Sequence, residues 1–398
     1  MAARDQQARI AVGAAYAAQG FSFAALLTQT NVLKDRFGFT DGELSLVLLA
    51  VPLVAGIGSI VAGALAPRLG SAPVLRVGGP LVCAALVAVG AASSVPALAA
   101  ALVLLGLGLG IVDATMNMQG VAVERRYGRP LLSSFHGWWS LGAVAGALTT
   151  AATAKAGLTV LESLTAAALV GLVLTLAAGP RELRRAEETA LAPSTVDAAA
   201  VAAIPWRPVA LIGTAVMLMY VADSATSNWS AVFLDDVLES SRSVAALGVF
   251  AYQCATMLGR AAADRLVRQY GPAVVTRAGA AIGGVGLLVV AAAPDSGVAL
   301  AGFALQGLGL CVVVPLSFSA AGRLDPAHTG VAVARVNLFN YAGFVVGAGL
   351  IGVVAEAADL RWAFVVPAVL AFGVIGLAGS FAVRAPDRTP TGSPTRVV

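Results

Sequence analysis

Twelve stretches of this chain are apolar over about 20 residues, the length a helix needs to cross a bilayer, and this pattern leaves few folds open. They run Ile10–Leu33, Leu44–Ala66, Val74–Ala92, Ala97–Val123, Ser134–Ala154, Leu161–Ala178, Val209–Leu234, Val244–Ala263, Val274–Ala293, Val298–Ala321, Val331–Ala355 and Trp362–Val383. Only 12% of the residues are charged, against about 25% in soluble domains. The first stretch follows Arg4 and Arg9 as a secretory signal would, but it is too long for a signal core and is expected to be retained. The connections are short, except for Arg181 to Pro208. The expected fold class is therefore an all-α integral membrane protein with 12 transmembrane helices and no separate soluble domain.

The basic residues orient this array, because Lys and Arg near span ends are retained on the cytoplasmic side. With both termini cytoplasmic, 20 of the 25 Lys and Arg fall on the inner side. Only Lys34, Arg36, Lys155, Arg242 and Arg361 fall outside. Moving the span count by one would destroy this segregation, so it supports the span list and the orientation together.

Several function classes are excluded. The net charge of +4 is scattered through apolar sequence, which does not suggest nucleic acid. The three cysteines lie inside apolar runs and the two histidines are far apart, so neither a disulfide framework nor a metal site is expected. No nucleophile stands with a base, and no Gly-Lys-Ser/Thr phosphate loop is present. Gly106, Gly108 and Gly110 lie within a span, where small residues let helices approach closely. No selectivity filter of a channel is visible.

A shift of 201 positions lays Gly106-Leu107-Gly108-Leu109 on Gly307-Leu308-Gly309-Leu310, and Gly142 and Gly146 on Gly343 and Gly347. One offset aligning two successive spans on either side of a basic linker points to two pseudo-symmetric six-helix halves with a solute path between them. The expected organisation is a bundle over 1–180, a cytoplasmic linker over 181–208, a second bundle over 209–383 and a disordered tail over 384–398. The charged stretch Arg181 to Glu188 reads as a solvated or interfacial helix.

At this point the residues resemble the major facilitator superfamily. Its loop signature between the second and third spans appears as Gly63-Ala64-Leu65-Ala66-Pro67-Arg68-Leu69-Gly70, with proline in place of the acid. The second half carries Gly259-Arg260-Ala261-Ala262-Ala263-Asp264-Arg265. In the family such an acid caps a helix N-terminus of the opposite half and latches one conformation, so the resemblance implies a latch built from Arg68, Asp264 and Arg265, with its first-half acid lost. A closer likeness is to a poorly characterised bacterial branch near the fucose-permease-like transporters. It rests on Gly110-Ile111-Val112-Asp113-Ala114-Thr115-Met116-Asn117-Met118-Gln119-Gly120, on Ser134-Phe135-His136-Gly137-Trp138-Trp139-Ser140-Leu141-Gly142, and on Asp223 before Asn228-Trp229-Ser230. The proline-containing fifth-span signature of many drug/proton antiporters is missing from Gly142-Ala143-Val144-Ala145-Gly146.

An ionisable group near the bilayer centre is costly and marks function by default. Asp113 lies about 15 Å of helix from the cytoplasmic end of the fourth span, and Asp223 lies near the middle of the seventh. Both are candidate proton-coupling groups, Asp113 first; the competing reading is an acid kept protonated or paired with a buried Arg. Asn117 shares the face of Asp113, while the shift of 201 places Val314 and Phe318 at the equivalent second-half positions. This suggests a protonatable wall facing an apolar, aromatic one. Gln19, Asn117, Tyr220, Asn228, Trp229 and Phe318 are the candidate substrate-binding residues. Asn31, Gln119, Gln253, Gln306, Asn337 and Asn340 each read more readily as helix-helix hydrogen bonds, as does His136. Trp138 and Trp139 read as interface anchors, and Arg277 and Arg335 as cations reaching back to the surface.

The expected activity is secondary active transport by alternating access, coupled to H+ and without any cofactor or metal. The solute is a small polar or amphipathic organic molecule, with sugar-like uptake favoured over proton-driven export of drugs or metabolites. The expected setting is the plasma or inner membrane, as a multi-pass monomer whose partners are the solute and the lipid bilayer.

Overall fold

The computed structural model describes residues 3–190, 198–245 and 247–382. The chain forms α1 (Ala3–Leu27), α2 (Thr30–Phe37), α3 (Asp41–Leu69), α4 (Ser71–Ala91), α5 (Val95–Tyr127), α6 (Leu132–Lys155) and α7 (Val160–Ala178). A 3-10 turn at Gly179–Arg181 leads into α8 (Arg185–Thr189) and α9 (Ala198–Ala202). The second part holds α10 (Trp206–Val232), which runs into a π turn at Phe233–Val237, then α11 (Arg242–Ala245), α12 (Leu247–Tyr270) and α13 (Pro272–Ala291). It ends with α14 (Ser296–Leu310), α15 (Val313–Arg323), α16 (Val331–Ala357) and α17 (Leu360–Leu377), closed by a 3-10 turn at Ala378–Phe381. Among the described residues there is no strand. The tail expected over 384–398 lies outside the described residues.

Local chemistry sets the helix ends. Thr40 and Thr159 form reciprocal caps with Glu43 and Glu162, satisfying N–H groups that the first turn leaves open. Gly128 ends α5 with φ 62°, a left-handed conformation suited to glycine. The tenth apolar run is not one helix. It breaks at Cys311 and Val312, where Pro315 has no N–H to donate and its ring crowds the carbonyl four residues back. Ala114, at the equivalent position of the first half, lets α5 run unbroken.

Among the described residues, ten helices are long and apolar enough to cross a membrane. The fifth and eighth apolar runs fall on α6 and α12, which are not among the ten. Serines, threonines and His136 dilute α6, while Arg260, Asp264, Arg265 and Arg268 charge α12. These two helices pack on each other.

The duplication read from the sequence is a symmetry of packing. In the first part α1 packs on α6 and α7, α5 on α3 and α4, and α4 on α7. In the second, α10 packs on α16 and α17, α14 on α12 and α13, and α13 on α17. The offset of 201 holds even for backbone approaches. A Cβ on Gly106 would lie 2.7 Å from Val51 O, and one on Gly307 would lie 2.2 Å from Tyr252 O. The halves meet through two symmetry-related pairs, α3 with α16 and α12 with α6.

Of the solvated or interfacial helix expected over Arg181 to Glu188, only the short α8 (Arg185–Thr189) forms, and the residues before it do not lie free. The first residues of the linker dock on the ends of α1, α3, α4 and α5. Glu182 is buried and pairs with Arg76 at 3.0 Å, and Arg4 Nε donates to Glu187 at 2.7 Å. Gln119 clamps Leu183, accepting from its N–H at 3.0 Å and donating to its carbonyl at 2.9 Å. Further on, the Arg335 guanidinium lies 4.3 Å from the Trp206 ring centroid and donates to Ile204 O at 3.3 Å. Stacking on the linker, rather than reaching to a lipid surface, settles this cation.

Candidate functional site

Asp113 stands midway along α5, half-buried, at the boundary between the halves. Asn117, one turn on, donates to Asp113 O at 2.8 Å and more weakly to Oδ1 at 3.4 Å. Tyr16 of α1 donates to Asn117 Oδ1 at 2.6 Å. From the other half, Tyr341 of α16 donates to Asp113 Oδ2 at 2.9 Å. Gln19, Asn337 and Asn340 also turn toward this carboxyl. The polar chain continues from Asn340 to Asn337 at 2.7 Å and from Asn337 to Ser59 of α3 at 3.3 Å. A buried carboxyl requires such donors, because an unsatisfied polar group in a low-dielectric site carries a large penalty.

Asp223 stands on α10, half-buried, and accepts a hydrogen bond from Tyr252 of α12. Tyr220 and Trp229 are half-buried on the same helix, and Asn228 is exposed, its amide donating to Ser224 O at 2.8 Å. Gln19 accepts from Trp139 Nε1 at 2.8 Å. Trp139 is thereby tied to α1, while Trp138 is exposed.

Hydrogen bonds joining the halves gather at the end that carries the linker. Asp264 of α12 accepts from the backbone N–H groups of Ser133 at 3.2 Å and Ser134 at 3.0 Å, and from the Ser134 hydroxyl. The N-terminus of α6 thus receives a carboxylate from the opposite half, complementing the partial positive charge of the helix end. Glu124 reaches the same terminus from its own half, accepting from Leu131 N–H at 2.7 Å, and also takes the Ser319 hydroxyl. At the symmetry-related terminus of α16 the cap is local. Asp325, 201 positions after Glu124, accepts from Gly330 N–H at 2.7 Å.

The packing symmetry sets Asp264 opposite Gly63, whose Cβ would meet Ala334 Cβ at 2.9 Å, rather than opposite Pro67. The first half therefore offers close packing where the second offers a charge. Arg68 and Arg265 have exposed side chains, and the Arg68 carbonyl receives Arg185 from the linker at 2.7 Å.

The candidate residues do not all share one surface. Asp113, Asp223, Gln19, Tyr220 and Trp229 are half-buried, whereas Asn117 and Phe318 are fully buried. Phe318 stacks on His136 with ring centroids 6.1 Å apart. The wall facing Asp113 is not the apolar surface expected from Val314 and Phe318, because α16 presents Asn337, Asn340 and Tyr341 there. Sequence reasoning missed Tyr341, Tyr252 and Arg260. The one available signal for Arg260 was its place one helical turn before Asp264, on the same face. Arg260 Nη1 donates to Ser140 Oγ at 2.8 Å and lies 3.4 Å from His136 O.

Comparison with known proteins gives one family. The family model described as Major Facilitator Superfamily matches residues 10–323 and, in an overlapping second match, 212–397. An uncharacterised MFS-type transporter of Yersinia pestis is 33% identical over 349 residues, covering 87% of this chain and 88% of the relative. Among solved structures, the transporter FucP in its outward conformation aligns with a TM-score of 0.76 at 15% identity, over 94% of this chain and 99% of that one. The proton:xylose symporter XylE aligns with a TM-score of 0.70 at 13% identity, over 93% of this chain and 94% of that one.

Proposed function

This chain belongs to the major facilitator superfamily, and from that premise we propose that it imports a small polar or amphipathic, sugar-like solute by alternating access, driven by H+. It is a multi-pass membrane transporter and not an enzyme. The proposed topology has twelve crossings, with α6 and α12 completing the ten strongly apolar helices. Both termini and the linker face the cytoplasm of the plasma or inner membrane, and the monomer needs no cofactor. With the halves tied together at the linker end, the conformation opens away from the cytoplasm.

The observation that carries this reading is the position of Asp113. One half-buried carboxyl stands at the boundary between the halves and accepts a hydrogen bond from the opposite half. A hydrogen bond to a carboxylate is roughly twice as strong as one to a neutral acceptor. Protonation of Asp113 therefore weakens the tie to Tyr341 while removing the charge that opposes burial. Loading a proton and releasing the halves become one event. Asp223, held by Tyr252 in the other half, acts as a solute ligand or a second proton site. The likeness to a proton:xylose symporter supports the choice of ion and of a sugar-like solute.

Purified protein in liposomes, given an inward proton gradient and a panel of radiolabelled sugars and polyols, tests this. Wild type is expected to accumulate a solute above equilibrium, and Asp113→Asn to lose accumulation while retaining exchange. Uphill transport by Asp113→Asn at the wild-type level overturns the coupling role, and accumulation only under an outward gradient overturns import.

A further inference from the structure

Arg260 is a buried guanidinium with one edge unused. It is 9% exposed, on the face of α12 that also carries Tyr252, Thr256 and Asp264. Its Nη1 is spent on Ser140 and His136 of the opposite half. Nε is buried without a partner, and Nη2 donates to nothing among the described residues. No carboxylate among the described residues lies within ion-pair distance of Arg260. An arginine cannot shed its charge at any ordinary pH, so a buried, unpaired one is an uncompensated cation. Nearby, His136 Nε2 is likewise buried and unpartnered.

The duplication shows that the fold does not require a cation here. The residue related to Arg260 by the shift of 201 is Ser59, and it meets Asn337 just as Arg260 meets His136. One half solves the contact with neutral groups, and the other has placed a permanent charge there. Arg260 also lies one helical turn before the Asp264 cap, and Asp223 and Tyr220 stand within its electrostatic reach.

We propose that the transported solute carries a carboxylate, and that Arg260 binds it side-on through the paired Nε and Nη2 donors. This rests on the transporter reading above and narrows its substrate class to organic acids, sugar acids among them. The Nε–Nη2 edge is one of the two forks that accept both oxygens of a carboxylate. Entry of the anion would supply a direct counter-charge to Arg260, and with protons on both Asp113 and Asp223 the loaded site would be neutral overall.

The experiment measures thermal stabilisation of the purified protein in lipid nanodiscs by matched pairs: D-glucuronate with D-glucose, D-galacturonate with D-galactose, and D-gluconate with D-sorbitol. At least one acid is expected to raise the melting temperature where its neutral partner does not. Arg260→Gln is expected to weaken the apparent Kd for that acid at least tenfold. Arg260→Lys, which keeps the charge and loses the fork, is expected to show an intermediate loss and serves as the folded comparison. Equal stabilisation by both members of every pair, failure of every acid, or undiminished binding by Arg260→Gln overturns the proposal. Gradient-driven uptake of a neutral sugar in the same preparation would sink this inference while leaving the transporter reading intact.

Discussion

Tyr341 of α16 donates a 2.9 Å hydrogen bond to Asp113 of α5, joining two residues 228 positions apart across the boundary between the halves. The bond binds the proposed proton site directly to the element that must move. Hydrogen bonds to charged groups contribute about 1.5–3 kcal/mol. Tyr341→Phe is therefore expected to raise the inward-facing population about tenfold or more. Spin labels at Arg68 and Arg265, exposed at the linker end of opposite halves, would read this as growth of the long-distance population. An unchanged distance distribution would show that Tyr341 does not hold the halves.

The Asp264 cap on α6 makes a second, independent tie. Loss of an N-cap costs about 1 kcal/mol, and loss of the charge at the helix end adds about 0.3–1 kcal/mol. Asp264→Ala should increase the rate at which a cysteine at the buried position 133 is labelled from the linker side by an impermeant maleimide, by about fivefold or more. An unchanged labelling rate would remove Asp264 from the gating machinery.

Glycines set the helix spacing within each half, but not equally. A Cβ on Gly110 would lie 1.9 Å from Ala55 O, whereas one on Gly137 would meet nothing within 4 Å. Overpacking costs about 1–3 kcal/mol or more, while Gly→Ala in an open helix interior contributes about 0.5–1 kcal/mol of stability. Gly110→Ala should lower the melting temperature in detergent by several degrees or prevent folding. Gly137→Ala should leave it unchanged or slightly raised.

Docking of the linker should weaken as the pH on its side of the membrane rises. Burial pushes the Glu182 carboxyl up to about 7, only partly opposed by Arg76, and burial also raises Glu188. An acid whose pKa is higher when docked than when free favours the docked form below the free value near 4.5, and loses that advantage as pH climbs through about 7. Glu187 behaves oppositely: its hydrogen bond to Arg4 lowers it to about 2, so it stays charged and adds no pH dependence near neutrality. Hydrogen exchange at Leu183, whose N–H is held by Gln119, should accelerate between pH 6 and 8 beyond the intrinsic chemical rate. Glu182→Gln should reduce that excess and Glu182→Gln with Glu188→Gln should abolish it, and its full persistence in the double variant would assign the titration elsewhere.

Much of the site was legible because membrane burial is severe enough to be written into composition. Asp113 and Asp223 stand out as acids in apolar sequence, Asp264 stands in the loop signature that carries the family resemblance, and each lies at a contact between helices. Arg260 was hidden by a boundary. The apolar run stops at Ala263 and makes Arg260 read as a cation near a span end, yet α12 continues to Tyr270 and carries it ten residues inside the helix. Charge dilutes hydropathy, so the helix most loaded with interface groups is the one whose end hydropathy misplaces.

The sequence alone determined the apolar runs, the segregation of basic residues and the repeat at 201 positions, because bilayer thickness, membrane orientation and duplication each impose a one-dimensional pattern. Only the tertiary structure decided that Tyr341 would hold Asp113, that Asn117 and Phe318 would be fully buried, and that the linker would dock instead of lying free. Those outcomes depend on how helix faces distant in the chain are rotated against one another, and rotation is fixed by close packing between partners that no local spacing names.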